Sequence, residues 1–546
     1  MAHAAMPTLW TAHGIPAALG FTGTSITDRV RPIDRQSRLR SRALGQTPAS
    51  DGPRSIGEVA AAHRWYTPIV GLAMLSATLS LAVVDSAVRR LFGRRRLRGE
   101  RSWKLSEASS GEPPPHSGCH FDGSSRRFFE GWYMRVTAKL SEDEGKVEED
   151  SPSSRASFAF MYWVERGKRP PLLRTLRRLR HGVSGGGFEA AGAQVMGPDG
   201  KVLFQAEVGR EAADRFLADP NRPVFGFSFR RPETGYRVEE RTHRGSLVDD
   251  ATGETCDWDY STTACAGYGS GPSGAATAGW LAALPIFEPH WQVIMAHGRS
   301  SGHINWRGRR YEFSDAPSYA EKNWGGSFPM KWWWVQCNDW VPASASSSTA
   351  QGRFSEVSLT TGGGRRGLLL PGLVEDVGMV AVHAKEAATG EWHFFEFVPW
   401  RGPVAWSVQP WRPGLAGSGP AGRWAVTATN RQAGLEVEVL ALTDAEGSDL
   451  RAPTEESGMD FFCKDAYTAS VSLKIWTLTK QGVRGDLLLD VSTPCSGGVE
   501  VGGGPWWTAW EHRAEMPRAV AWMMGLPLDA GLQTAKKLLP AKVPGL

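Results

Sequence analysis

Two carboxylates set among aromatic rings are the residues best placed to do chemistry. Glu130 lies in RRFFEGWYMR, flanked by Phe128, Phe129, Trp132 and Tyr133. Glu321 lies in SYAEKNWGG, between Tyr319 and Asn323 and close to Trp324, while His290 and Trp291 open a segment that follows FEP. A carboxyl group enclosed by apolar rings keeps its proton because burial penalises the charged form, and a buried neutral carboxyl is a general acid. Each has a plainer reading. Glu130 would pair with Arg127 or Arg135, and Glu321 with Lys322 or another neighbour.

Other motifs fail on context. Gly269, Gly271 and Gly274 match GxGxxG, but Pro272 sits inside and no apolar strand leads in, so a loop is the better reading. Gly182, Ser184 and Gly186 match GxSxG inside a Gly-rich basic stretch, where a nucleophile elbow has no strand and helix to hold it. His290, His297 and His303 are too loosely spaced for a metal site, and the six cysteines form no CxxC pair, so no metal is expected.

The elements that must position the carboxylates are strands. In ASFAFMYWV, Phe158, Phe160, Tyr162 and Val164 share one face, the period-two pattern of a strand. In GLEVEVLAL, Leu435, Val437 and Val439 oppose Glu436 and Glu438. Further strands are expected at His290 to Ala296, Trp392 to Val398, Arg423 to Thr429, Val471 to Leu478 and Asp486 to Val491, with a hairpin turning near Gly308. Many short strands imply an all-β fold of two barrel or sandwich units, placed at 113–335 and 336–546. Only about Met516 to Leu539 reads as helix. The basic run Arg166 to Gly187 and the Ser-rich run Ser344 to Gly352 read as exposed loops.

Charge separates a leader from the folded body. The first 104 residues hold 16 Lys and Arg against 6 Asp and Glu, leaving 46 against 51 in the remainder. A mildly acidic body excludes a nucleic-acid binder, which carries its basic charge on the fold. Residues 1–104 have the Arg-rich, acid-poor composition of an organelle transit peptide, disordered and carrying a short apolar run, Pro68 to Val84. Those 17 residues are short of the ~20 a spanning helix needs, so a targeting element or surface anchor is favoured. The 24 tryptophans come in clusters, such as Trp332, Trp333 and Trp334, and fit the enclosure of a large apolar ligand.

Several long runs carry a resemblance to a family: PHSGCHFDGSSRRFFEGWYMRV, AGWLAALPIFEPHWQVIMAHG, YEFSDAPSYAEKNWGGSFPMKWWWVQCN, LRAPT and EVGGGPWW. From about Pro114 onward the chain resembles the tocopherol cyclases of photosynthetic organisms. The resemblance implies two lipocalin-like β-barrel units, distantly similar to carotenoid hydratases, with no redox cofactor. It also implies chloroplast localisation with plastoglobule or thylakoid-surface association. The implied activity is closure of the chromanol ring of vitamin E from methylphytyl- or dimethylphytyl-benzoquinol, an isomerase of the intramolecular lyase class that also accepts plastoquinol. The hydratases' YxDxNxG pattern falls on Tyr319, Glu321, Asn323 and Gly325, with Glu replacing Asp.

That reaction protonates the prenyl double bond nearest the ring, and the quinol oxygen captures the tertiary cation. Under this resemblance Glu321 is the donor, Tyr319 and Asn323 orient it or the quinol, and His290 takes the phenolic proton, with Glu130 the competing acid. Trp132, Trp291 and Trp324 would face the cation, and Tyr133, Trp332 and Trp334 would complete the substrate wall. A prenyl-lipid hydratase, in which water captures the cation, and a non-catalytic prenylquinol binder remain the alternatives.

Overall fold

A computed structural model describes residues 114–120, 127–139, 155–166, 189–209, 211–212, 217–218, 226–230, 234–270, 274–283, 289–340, 352–367, 374–411, 422–454, 458–503 and 508–524. The leader 1–104 with its apolar run, the GxSxG segment, nearly all of both expected loops and most of the expected C-terminal helix lie outside them.

The alternating patterns form strands, as expected for an all-β chain. The first sheet holds β1 (Phe128–Lys139), β2 (Arg155–Arg166), β3 (Ala190–Met196), β4 (Val202–Val208), β5 (Leu217–Ala218), β6 (Gly226–Arg230), β7 (Gly235–Glu239), β8 (Thr242–Val248), β9 (Thr255–Ala266), β10 (His290–Trp306) and β11 (Arg309–Gly325). The second holds β12 (Lys331–Cys337), β13 (Phe354–Gly367), β14 (Val374–Glu386), β15 (Trp392–Phe397), β16 (Val404–Gln409), β17 (Gly422–Asn430), β18 (Leu435–Thr443), β19 (Ser448–Thr454), β20 (Gly458–Leu478), β21 (Arg484–Gly503) and β22 (Trp510–Ala514). A short helix, α1 (Arg518–Met524), follows. The sheets part between Gly325 and Lys331, earlier than the division placed at 335 and 336, so the tryptophan triplet opens the second sheet.

Each sheet curls around its own core. The first runs β4-β3-β2-β1-β11-β10-β9-β8-β7-β6-β5. Its β4 edge bends back to the end of β8, where the Asp250 N–H donates to the Phe204 carbonyl at 2.9 Å. Phe158, Phe160 and Tyr162 of β2 fill this interior with Trp258 and Tyr260 of β9. The β10–β11 hairpin turns through Arg307 and Gly308, both at positive φ (52° and 85°), a conformation that glycine adopts without strain. The second sheet runs β15-β14-β13-β12-β21-β20-β18-β17-β16-β22, and Trp333, Trp406 and Trp424 lie in its interior. Val437 and Val439 face that interior too, while Glu436 and Glu438 turn outward to Arg484.

Where the sheets meet, the outer faces of β1, β2, β10 and β11 pack on β12, β14 and β20, so these strands are covered on both sides. That explains why β2 is buried along nearly its whole length instead of alternating. Polar clasps pin the seam. Buried Arg135 donates to Gln336 Oε1 at 2.8 Å and to the Ser496 carbonyl at 2.7 Å. Gln194 and Arg451 exchange bonds of 2.6 and 3.1 Å.

Candidate active site

Inside this seam lies a cavity of ≈ 270 Å³ walled by both sheets. Its construction follows from period two. On β11, Tyr319, Glu321 and Asn323 turn toward the second sheet, whereas Lys322 and Trp324 turn the other way. The register places Tyr133 of β1 opposite Glu321 and Gly131 opposite Asn323, and across β10 it sets Trp291 opposite Asn323. From the second sheet, β12 sends Trp332 and Trp334 into the cavity and Trp333 toward its own core. Each member of the triplet lies opposite a glycine of β13: Trp332 opposite Gly364, Trp333 opposite Gly363 and Trp334 opposite Gly362. A side chain at Gly363 would collide with the Trp333 indole, and one at Gly502 of β21 with Trp332.

Glu321 is the hub of the site. The Tyr319 hydroxyl donates to its Oε2 at 2.6 Å, the Trp291 indole N–H at 2.9 Å and the Trp334 indole N–H at 3.2 Å. Asn323 Nδ2 reaches Oε1 at 3.5 Å. Burial pushes the carboxyl above its ordinary range, and these four donors, which favour the charged form, pull only part of the way back. The group is a buried carboxyl of raised proton affinity, gripped by dipoles. Tyr319 and Tyr133 are raised well above the ordinary phenol range by the same burial, so both hydroxyls keep their protons.

Glu130, the competing acid, is differently placed. Its side chain is fully buried and absent from the cavity wall. Lys322 Nζ lies 2.5 Å from Oε1, and the His120 backbone N–H and the Cys119 thiol donate to the same carboxylate at 3.0 and 3.2 Å. Burial alone would raise it, but the Lys322 ammonium and the His120 bond outweigh burial and hold it at about 2. Its ion-pair partner is neither Arg127, which binds Glu165 at 2.7 Å, nor Arg135. A carboxylate fixed in the charged state cannot serve as an acid near neutrality. Glu130 also lies off the cavity wall, whereas Glu321 is on it.

The remaining residues divide likewise. Trp132, Tyr133, Trp291, Trp332 and Trp334 line the cavity, as does His290. Trp324 does not. Its indole is stacked between His290, with ring centroids 4.9 Å apart, and His120, 4.0 Å apart. It belongs with Lys322, whose ammonium sits 5.3 Å from its ring, so it braces the wall from behind instead of facing a substrate.

One cavity residue escaped the sequence reading. Glu500 of β21 lines the pocket and accepts the Trp332 indole N–H. Beside it stand Asp465 and Cys463 of β20, the donor atoms of all three lying within 4.8 Å of one another. Burial drives both carboxyls above their ordinary range, Asp465 well above it. Glu500 alternates with Val499 and Val501, a pattern that reads as a solvent-facing polar position. Its presence in the run EVGGGPWW was the one available signal.

Residues 126–503 match the model of the family described as tocopherol cyclase-like. A Zea mays protein described as tocopherol cyclase, chloroplastic, is 37% identical over 465 residues, covering 79% of this chain and 86% of that protein. An Oryza sativa subsp. japonica protein described as probable tocopherol cyclase, chloroplastic, is 36% identical over 442 residues, covering 76% and 84%. A solved structure of a putative AttH from Nitrosomonas europaea aligns over 73% of this chain and 99% of its own, at 12% identity and a TM-score of 0.35, a likeness that adds nothing to the strands described above. With the family's model spanning most of the described strands, the chain belongs to the tocopherol cyclase-like family.

Proposed function

We propose that the protein closes the chromanol ring of tocopherols from methylphytyl- or dimethylphytyl-benzoquinol. Glu321 protonates the prenyl double bond nearest the ring, and the neighbouring quinol oxygen captures the cation. The observation that carries this reading is a buried Glu321, its proton affinity raised by burial, held by three N–H and O–H donors within 3.2 Å on the wall of a tryptophan-rich cavity. Alkenes are feeble bases, so the acid must be uncharged and shielded from competing water, and both demands are met by enclosure between the sheets.

Tyr319 and Asn323 orient the acid, while Trp291 and Trp334 fix its carboxyl and line the cavity. A desolvated cation over an indole face gains about 2 kcal/mol. Trp132, Tyr133 and Trp332 complete the wall that folds the prenyl chain against the hydroxyl, which removes several kcal/mol of entropic barrier by proximity. The names of the maize and rice relatives support a chloroplast setting, and the lipophilic substrate supports a working position at a plastoglobule or thylakoid surface.

The test is to incubate the purified full chain with dimethylphytylbenzoquinol in heavy water. A chromanol carrying one non-exchanging deuterium on the new ring is expected. A tertiary alcohol would assign a hydratase, and unchanged quinol bound to the protein would assign a carrier.

A further inference from the structure

Ring closure leaves a proton on the former phenolic oxygen, and a group on the cavity wall must take it. Tyr133 cannot, since burial keeps its own hydroxyl protonated. His290 lies flat against Trp324, centroid to centroid 4.9 Å, with that indole covering one ring face. We propose that Glu500, on the cavity wall beside buried Asp465 and gripped by the Trp332 indole, is the base that receives the phenolic proton. This deepens the ring-closing reading and rests on it.

The geometry assigns the protons. Asp465 is fully buried, and its Oδ2 accepts the Tyr467 hydroxyl at 3.0 Å. Its Oδ1 meets no N–H or O–H donor among the described residues. The Asp465 and Glu500 carboxyl oxygens lie within 4.8 Å of one another, and a proton shared by such a pair rests on the more deeply enclosed member. Asp465 lies behind the wall and Glu500 on it, so the carboxylate faces the substrate. The Trp332 indole N–H, donated to Glu500 Oε1, favours the charged form and fixes its orientation. The pattern agrees with the shifts: the bond from Asp465 lowers Glu500, while the bond to Glu500 raises Asp465.

The triplet therefore serves two carboxyls from one strand face, Trp334 donating to Glu321 and Trp332 to Glu500. One is held by dipoles alone, the other stands beside a second carboxyl, Asp465. Groups whose environments push their proton affinities apart are the natural acid and base of one reaction. In the step proposed, the quinol O–H bond breaks as the oxygen bonds to the cationic carbon, and its proton forms an O–H bond on Glu500. Nothing is oxidised or reduced. The titratable or charged groups around Glu500 are Asp465, Tyr467 and Cys463 from β20, Glu321 from β11, and Tyr133 and Arg135 from β1.

The test uses the full chain and the chromanol assay. Glu500→Gln keeps an acceptor for Trp332 but cannot take a proton, and kcat should fall about 100-fold with the thermal midpoint held. Asp465→Leu removes the donor that keeps Glu500 charged. The acidic limb of the kcat profile, where the base becomes protonated, should then move up by about one pH unit, and Asp465→Asn, which can still donate, should return it. His290→Gln should leave that limb in place. A Glu500→Gln enzyme within threefold of wild type, or a limb that answers to His290→Gln and not to Asp465→Leu, overturns the assignment. If the unaltered protein forms no chromanol, the ring-closing reading falls and takes the base with it.

Discussion

Glu130 and Glu321 sit on the adjacent strands β1 and β11, both buried, and the protein shifts their proton affinities in opposite directions. Burial acts on both in the same direction. The difference lies in what faces them. Glu130 meets an ammonium, Lys322, at 2.5 Å, and that opposite charge together with the His120 hydrogen bond outweighs desolvation. Glu321 has no cation beside it and is held by dipoles, from Tyr319, Trp291, Trp334 and Asn323, which lower its proton affinity by less than burial raises it. Lys322 follows Glu321 directly in the chain, yet a strand sends consecutive side chains to opposite faces, so the ammonium neutralises the distant carboxylate and spares the adjacent one. Pairing one carboxylate tightly is what leaves the other free of a cation.

Breaking the Glu321 side of the comparison should have the largest effect. Glu321→Gln keeps the shape and an acceptor for the indoles but has no acidic proton, and kcat should drop by about 10³-fold or more. Stability should not follow. Because burial raises the folded-state value of Glu321, its contribution to stability is fully present below the unfolded value and is lost as pH rises through the folded one. Glutamine has no such dependence, so at pH 8 the variant should melt at or slightly above the wild-type temperature. Full activity in Glu321→Gln with loss in Glu130→Gln would exchange the two roles.

On the Glu130 side the effect should appear in folding. Glu130→Gln leaves Lys322 buried beside a neutral amide, and removing one partner of a buried pair costs about 3–5 kcal/mol. Its melting temperature should fall, and turnover per folded molecule should stay near wild type. The double variant Glu130→Leu, Lys322→Met removes both charges, and in differential scanning it should recover most of the loss. A double variant no more stable than the single one would show that the pair is needed for something other than mutual neutralisation. The carbonyls of His116 and Gly118, both bonded to Lys322, would be the place to look.

How much of this was legible in the sequence depended on the range of the contact involved. Period two in ASFAFMYWV and GLEVEVLAL marks strands, and those strands formed at the expected places. The same period, applied strictly to Tyr319, Glu321 and Asn323, puts all three on one face and excludes Lys322 and Trp324 from it; that much was available locally. What was not available was register. The pairing of Glu130 with Lys322 depends on β1 lying beside β11, and the seating of Trp332 and Trp334 depends on glycines 362 and 364 standing opposite them. Neither relation leaves a mark in the short-range pattern. Glu500 was hidden by the reverse problem, because its Val-Glu-Val setting looks like a half-exposed strand, and only the first sheet covering the outer face of β21 makes it a cavity residue.

The smallest change sharpens the comparison most. Tyr319→Phe deletes the shortest of the bonds to Glu321, 2.6 Å, and alters nothing around Glu130. That hydroxyl stabilises the carboxylate, so without it Glu321 should hold its proton more strongly. Two consequences follow with definite signs. As a weaker acid it should protonate the alkene more slowly, about tenfold in kcat, and the basic limb of the kcat profile should move up by about one pH unit, since the acid survives to higher pH. A limb that stays fixed while kcat falls would mean that Tyr319 acts on the substrate and not on the acid. A limb that moves down would mean that the group titrating there is stabilised by charges, as Glu130 is, and cannot be a carboxyl held only by dipoles.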